Sequence, residues 1–158
     1  MDKIILHCGC ATKYYEGYIN SDMRTEWKGK PNKLDLVMPL GEPWPYADES
    51  VDAIVGMAVF QQLHWRELVI SFRESFRVLK KGGVFRIGVP VIENGKPLEH
   101  LLGWENINLF SIPLLLTVLK DHIHYSSVKQ RGYRKSTMKE LARIDNRHDH
   151  QIYIECIK

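Results

Sequence analysis

The sequence predicts an α/β fold, a mostly parallel central sheet with helices on both faces, and three observations predict it. Val51 to Ala58 is almost continuously apolar apart from Asp52, the pattern of a strand buried on both sides. From Trp65 the apolar positions Trp65, Leu68, Val69, Phe72, Phe76 and Leu79 recur at helical spacing, with Arg66, Glu67, Arg73, Glu74 and Arg77 between them. Val84 to Val89 then reads as a second strand ending at Pro90, and strand, helix, strand in that order builds a parallel sheet.

The other elements follow from the same signals. Lys3 to Leu6 is a short aliphatic run entering a turn at His7, Cys8 and Gly9. The stretch ATKYYEGYINSD leaves little room before Tyr18 to Ser21 resumes a strand that ends at Asp22, so the first crossover is abbreviated. Residues 24 to 33 are polar with Gly29 and Pro31, a loop signal, and the apolar stretch Leu34 to Val37 precedes an irregular MPLGEPWPY. Lys80 and Lys81 suit the negative end of the long helix, and Gly82 with Gly83 would stop it in a left-handed turn. Beyond Pro90, IENGKPLEH reads as a loop, Ile107 to Lys120 as an apolar helix interrupted by Pro113, and Ser136 to Ile144 as a short helix. Gln151 to Ile157 alternates and is rich in β-branched residues, which makes it a closing strand. No internal repeat is visible.

Composition bounds the rest. At 158 residues and 44% hydrophobic content the chain supports one buried core, so residues 1–158 are read as one domain. A net charge of +3 is too mild to indicate nucleic acid. The basic run Lys129, Arg131, Arg134, Lys135 and Lys139, with Tyr125 and Tyr133 interleaved, is most simply a solvated face, and it keeps a nucleic acid or an anionic substrate open. Three sparse cysteines, Cys8, Cys10 and Cys156, fit a reducing, cytoplasmic setting better than a disulfide framework. The longest apolar run, LFSIPLLLTVL, is well short of the roughly 20 residues a spanning helix needs, so no membrane role is expected. A zinc site normally takes four ligands at regular spacing. The Cys8/Cys10 pair, DHIH at 121–124 and HDH at 148–150 do not supply that, so no metal is expected. Oligomeric state is not set by these features.

Sheets of this kind bind ligands outside the carboxyl ends of their strands, which places a site near residues 7–9, 22, 35 and 56–62. A carboxylate closing the second strand can accept both hydroxyls of a ribose, and a glycine turn lets backbone approach a ligand. The ordered set of the HCG turn, Asp22 in YINSD, Asp35 in KLDLVMPL, SVDAIVGMAVFQQL and FRESFRVLKKGGVFRIGVP resembles class I S-adenosylmethionine-dependent methyltransferases, especially small bacterial-type members. The resemblance runs from Lys3 to Pro90 and resumes weakly in DNRHDHQIYIECIK. It implies a Rossmann-like methyltransferase fold with an antiparallel C-terminal strand, a cofactor-binding half at 1–90, a substrate or lid region at 91–135, and a closing helix and strand at 136–158. It also implies S-adenosylmethionine as cofactor. His7, Cys8 and Gly9 would then face its methionine moiety, Asp22 its ribose, Asp35 and Leu36 its adenine, while Gly56, Met57 and Ala58 would flank it.

Two departures from the family pattern bear on chemistry. His7 stands where the first glycine of the turn is usual. Gln61 and Gln62 stand where relatives commonly carry an acidic residue and a histidine, and an amide accepts no proton at neutral pH. Methyl transfer from a sulfonium is a direct displacement, so a base is needed only where the acceptor must lose a proton early. The candidates for a catalytic role are His64, the one imidazole at this edge, and Gln62. The expected function is methyl transfer to a small-molecule or sugar-like acceptor. Its rivals are a catalytically degenerate S-adenosylmethionine-binding module and a nucleic-acid-directed methyltransferase using the basic run.

Overall fold

Short segments separated by turns become strands wherever a neighbouring strand satisfies their backbone, and the apolar ones are those covered on both faces. In the computed structural model, which describes residues 3–90, 110–145 and 151–158, the strands are β1 (Ile5–Cys8), β2 (Ile19–Asp22), a small hairpin of β3 (Glu26–Trp27) and β4 (Lys30–Pro31), β5 (Leu36–Val37) and β6 (Val51–Met57). After helix α1 (Trp65–Val78) come β7 (Leu79–Val89), α2 (Ile112–Thr117), β8 (Ser127–Arg131), the single turn α3 (Lys139–Ala142) and β9 (Ile152–Ile157).

Seven of these strands form one sheet in the order β5-β2-β1-β6-β7-β9-β8. All run parallel except β9, which pairs antiparallel with both β7 and β8. Only residues 9–18 join β1 to β2, without a helix. The α/β sheet, the shortened first crossover and the antiparallel last strand are thus as expected.

The two faces are closed differently. On one, α1 buries Leu68, Phe72 and Val78 against Leu6, Ile54, Phe85 and Ile87, and α2 adds Leu115. Phe60, Phe72 and Phe85 meet with ring centroids 5.4 to 6.1 Å apart, in the edge-on and tilted arrangements aromatic rings prefer. The buried Tyr125 hydroxyl and Ser75 Oγ satisfy each other at 2.8 Å. On the other face no long helix is present among the described residues. Instead Tyr133, Met138, Leu141 and Ile144 cover Ile5, Ala53, Val55 and Tyr153, pinned by ions. Arg86, fully buried on β7, binds Asp145 through Nε at 3.0 Å and Nη2 at 2.6 Å, donates to the carbonyls of Lys135 and Gly132, and lies 3.5 Å from Glu155.

Several local expectations are corrected. Gly82 and Gly83 do not stop α1: the helix ends at Val78, Leu79 is already extended, and both glycines lie in an irregularity of β7 opposite Asp52. There the backbone must pass close to neighbouring backbone, since a Cβ on Gly83 would sit 2.8 Å from the Lys80 carbonyl and 3.1 Å from that of Asp52. Residues 24–33 hold the small hairpin rather than only loop. Pro113 opens α2 instead of interrupting it, because a first-turn proline lacks only an N–H that the helix leaves unpaired anyway. The basic run conceals an edge strand, β8. The loop read at IENGKPLEH and the HDH cluster at 148–150 lie outside the described residues.

Candidate functional site

The carboxyl ends of the parallel strands are where the chain turns most sharply. Gly9 after β1 has φ +65°, Ala11 φ +47° and Ala58 after β6 φ +57°. Left-handed backbone is unusual for alanine, and such strain gathers at ligand sites. The turns are seated on each other: a Cβ on Gly9 would fall 2.4 Å from Val59 Cγ2, so only glycine fits there. Cys10 N donates to Ser21 O at 3.1 Å, tying the turn to β2.

Asp22 organises this corner. Its Oδ2 accepts from Ala11 N and its Oδ1 from Arg24 N, each at 2.9 Å. The carboxylate is therefore fixed at the end of β2, only half-buried, with one engaged amide per oxygen. Since each oxygen has about two lone-pair sites, each keeps one for a further donor. Beside it, Met23 and Val37 are unusually exposed for apolar residues, 61% and 54%, and Val37 is the register partner of Asp22 across β2 and β5. In the sequence the only trace of this pair is an apolar residue directly after Asp22 in YINSDM and another two positions after Asp35 in LDLV.

The structure brings together Gly9, Asp22 and Ala58. It does not bring the other expected cofactor contacts to the rim. His7 is 3% exposed within β1, with Nδ1 3.1 Å from Asn20 Oδ1 and its ring edge-on to Tyr15. Burial holds its pKa below the ordinary imidazole value, an effect the Asn20 bond partly offsets. The imidazole that stands in place of glycine is thus directed away from the turn. Cys8 is buried in the α1-side core, and burial pushes its thiol and that of Cys10 up to about 12. Asp35 precedes β5 instead of closing it, and its carboxylate accepts from Asn20 N, Asn20 Nδ2 and the Tyr14 hydroxyl, which together lower its pKa. Leu36 packs on the core. Gly56 lies under Phe60, whose ring a Cβ would meet at 2.5 Å, and Met57 is buried.

Past Ala58 the chain makes one short turn, Phe60–Gln62, before α1. Gln62 Nε2 donates to the Ala58 carbonyl at 3.2 Å. Gln61 is 2% exposed, and among the described residues its Oε1 has no hydrogen-bond partner, a costly state for a buried acceptor. His64 is exposed at the start of α1, its backbone N donating to Glu67 Oε2 at 2.8 Å. Among the described residues no three His, Cys, Asp or Glu side chains gather as a metal site, and no helix is long and apolar enough to cross a membrane.

A seven-stranded sheet of this order, with an oriented carboxylate closing its second strand, defines a methyltransferase-type α/β protein. The sequence pattern of the methyltransferase domain family matches residues 7–87, just over half of the chain, and the chain belongs to that family. No curated protein matches it. Among solved structures it is similar to an S-adenosylmethionine-dependent methyltransferase of Thermotoga maritima, with 18% identity, 98% of this chain and 82% of that one covered, and a TM-score of 0.67. One from Methanosarcina mazei is similar at 15% identity, 99% and 92% coverage and a TM-score of 0.66. The phosphoethanolamine N-methyltransferase 2 of Haemonchus contortus, in complex with phosphomonomethylethanolamine and S-adenosylhomocysteine, is similar at 12% identity, 99% and 49% coverage and a TM-score of 0.68. At these identities the likeness establishes the fold. S-adenosylmethionine is the cofactor that membership of this family assigns, and the free lone pairs of Asp22 and the apolar pair Met23 and Val37 suit its ribose and purine.

Proposed function

We propose that the protein transfers the methyl group of S-adenosylmethionine to a small-molecule acceptor. The observation that carries this reading is the Asp22 carboxylate, fixed by two backbone amides with a lone pair free on each oxygen. Asp22 receives the two ribose hydroxyls, Met23 and Val37 flank the purine, and the left-handed turn from Gly9 to Ala11 faces the methionine portion. Of the contacts inferred from the family, the direct ones are Gly9, Asp22 and Ala58. His7, Cys8, Leu36, Gly56 and Met57 hold the strands beneath them, and Asp35 orders Asn20 and Tyr14.

When bound, the cofactor supplies an electrophilic methyl on a sulfonium, displaced directly by an acceptor lone pair while the sulfur keeps the bonding electrons. The chain's part is to hold and orient. Gln62, whose amide is committed to Ala58, fixes the rim. Gln61 offers an unmet acceptor oxygen for a donor N–H or O–H. Neither is a base, so the acceptor is one whose nucleophile has its lone pair free near neutral pH. His64, exposed at the head of α1, is the imidazole at hand where a proton must be taken up.

The same glutamines support a second reading, a module that binds the cofactor without turnover. Calorimetric titration with S-adenosylmethionine and S-adenosylhomocysteine, followed by a methylation screen of small-molecule acceptors, separates the two. Micromolar binding is expected for both ligands, weakened about tenfold or more in Asp22→Ala, with circular dichroism to check that the variant folds. No binding to the folded wild type would sink the cofactor reading, and binding without methylation of any acceptor would favour the second.

A further inference from the structure

The sheet face opposite α1 carries a cleft that the cofactor reading does not use. It measures about 400 Å3 and is lined by Arg134, Lys139, Ala142 and Arg143. We propose that it is a binding site for the phosphate or diphosphate group of a small molecule.

Charge is the first argument. Arg134, Lys139 and Arg143 are all exposed, and among the described residues none has a carboxylate within ion-pairing distance. The one acidic residue of this turn, Glu140, is bridged by Lys3 at 3.4 Å and also feels the charge of Arg143. Lys139 and Arg143 are four residues apart at α3 and so share a face, an arrangement that is mutually repulsive when no anion lies between them. Ala142, the small residue of the lining, leaves the space open.

Rigidity is the second. Arg134 has φ +53°, left-handed backbone that arginine rarely adopts. It is held there because its N–H donates to Asp145 Oδ2 at 2.6 Å, while Asp145 is itself clamped by buried Arg86. Arg86 also grips the carbonyls of Gly132 and Lys135 on either side of Arg134. From the other wall, the Tyr18 hydroxyl donates to the Glu140 carbonyl at 2.6 Å and fixes α3 to the sheet. A buried ion network thus presents three cations that no carboxylate bridges among the described residues, Arg134 lying over the Tyr133 ring at 5.2 Å, around a pocket of ligand size, and strained backbone held in place by its surroundings is a mark of binding sites. Arginines suit phosphate oxygens because their planar guanidinium donates in pairs.

The rest of the basic run does not join this cleft. Lys129 and Arg131 stand on the edge strand β8, where Arg131 lies 3.5 Å from Glu155. Three clustered cations suit a compact anion better than a polynucleotide tracked along a stripe.

The test is titration of the purified chain with inorganic pyrophosphate and inorganic phosphate. Saturable one-to-one binding of at least one is expected, weakened about tenfold or more in Arg143→Ala. Arg134→Gly separates function from folding, since glycine accepts the left-handed backbone: its melting temperature should hold or rise while pyrophosphate affinity falls. Absence of saturable binding, or equal affinity in a folded Arg134→Gly/Lys139→Ala/Arg143→Ala variant, would overturn the proposal. Binding of a single-stranded oligonucleotide that pyrophosphate fails to displace would overturn it too, in favour of a polynucleotide surface. None of these results depends on Asp22, so the cofactor reading stands or falls separately.

Discussion

Phe72 and Arg86 lie on opposite faces of the same sheet, and each closes its side by a different chemistry. The α1 face is sealed by aromatic and aliphatic side chains from a regular helix, whose own backbone is satisfied internally. The other is covered by an irregular segment, residues 132–145, with one turn of helix. Irregular backbone brings unpaired carbonyls and amides with it, and Arg86 and Glu155 from the sheet beneath, together with Asp145 of the segment itself, supply their partners. A helix can be held by apolar area alone, whereas a loop laid on a sheet needs polar groups buried with it.

That contrast can be broken from either side. The largest effect is expected for Arg86→Ala, which leaves Asp145 buried without its cation and Glu155 with Arg131 alone. Losing one partner of such a network costs about 3–5 kcal/mol, measurable by urea unfolding, and a loss near zero would mean that apolar contacts alone hold the segment. Phe72→Leu, at the centre of the aromatic cluster, keeps an apolar group in place. It should cost on the order of 1–2 kcal/mol and leave the cooperativity of unfolding unchanged.

The smallest effect is a pH dependence on the polar side. Buried His7 binds a proton less readily in the folded chain than in the unfolded one, where the imidazole titrates near about 6.5. The stability of its neutral form is therefore complete above that pH and is lost as pH falls below it. Thermal melts at pH 7.5 and 5.5 should show a drop at the lower pH, and the drop should be smaller in His7→Gln. An equal drop in both proteins would place the acid sensitivity elsewhere.

The same division explains what the sequence could disclose. The α1 face was legible because helical periodicity from Trp65 and the apolar run of Val51–Met57 are local patterns that packing enforces. The end of α1 was not, because Gly82 and Gly83 satisfy the rule for a helix stop equally well, and only the neighbouring Asp52 and Lys80 backbone decides their use. Strand β8 was hidden in a charged run, since an edge strand has one free side and carries no apolar signature. In the site, Asp22 was readable as the acid closing a strand. Asp35 carried the same signal, but β5 begins after it rather than ending at it, an offset only the register with Ser21 and Asp22 shows. His7 looked intrusive in the turn because a sequence does not say to which side of a strand a residue points.

One feature of the sheet reaches beyond the folded state. Strand β9 follows β8 in the chain but lies between β7 and β8 in space, and Lys158 exchanges backbone hydrogen bonds with Gly82 and Gly83. During synthesis β7 is therefore complete some 60 residues before its neighbour exists, roughly 3 to 12 seconds at ordinary translation rates of about 5–20 residues per second. Throughout that interval its edge is an open template, and β8 has nothing in this sheet to pair with. Assembly of this half must wait for residues 152–157 to leave the ribosome, because β9 is the strand that pairs the free edge of β7.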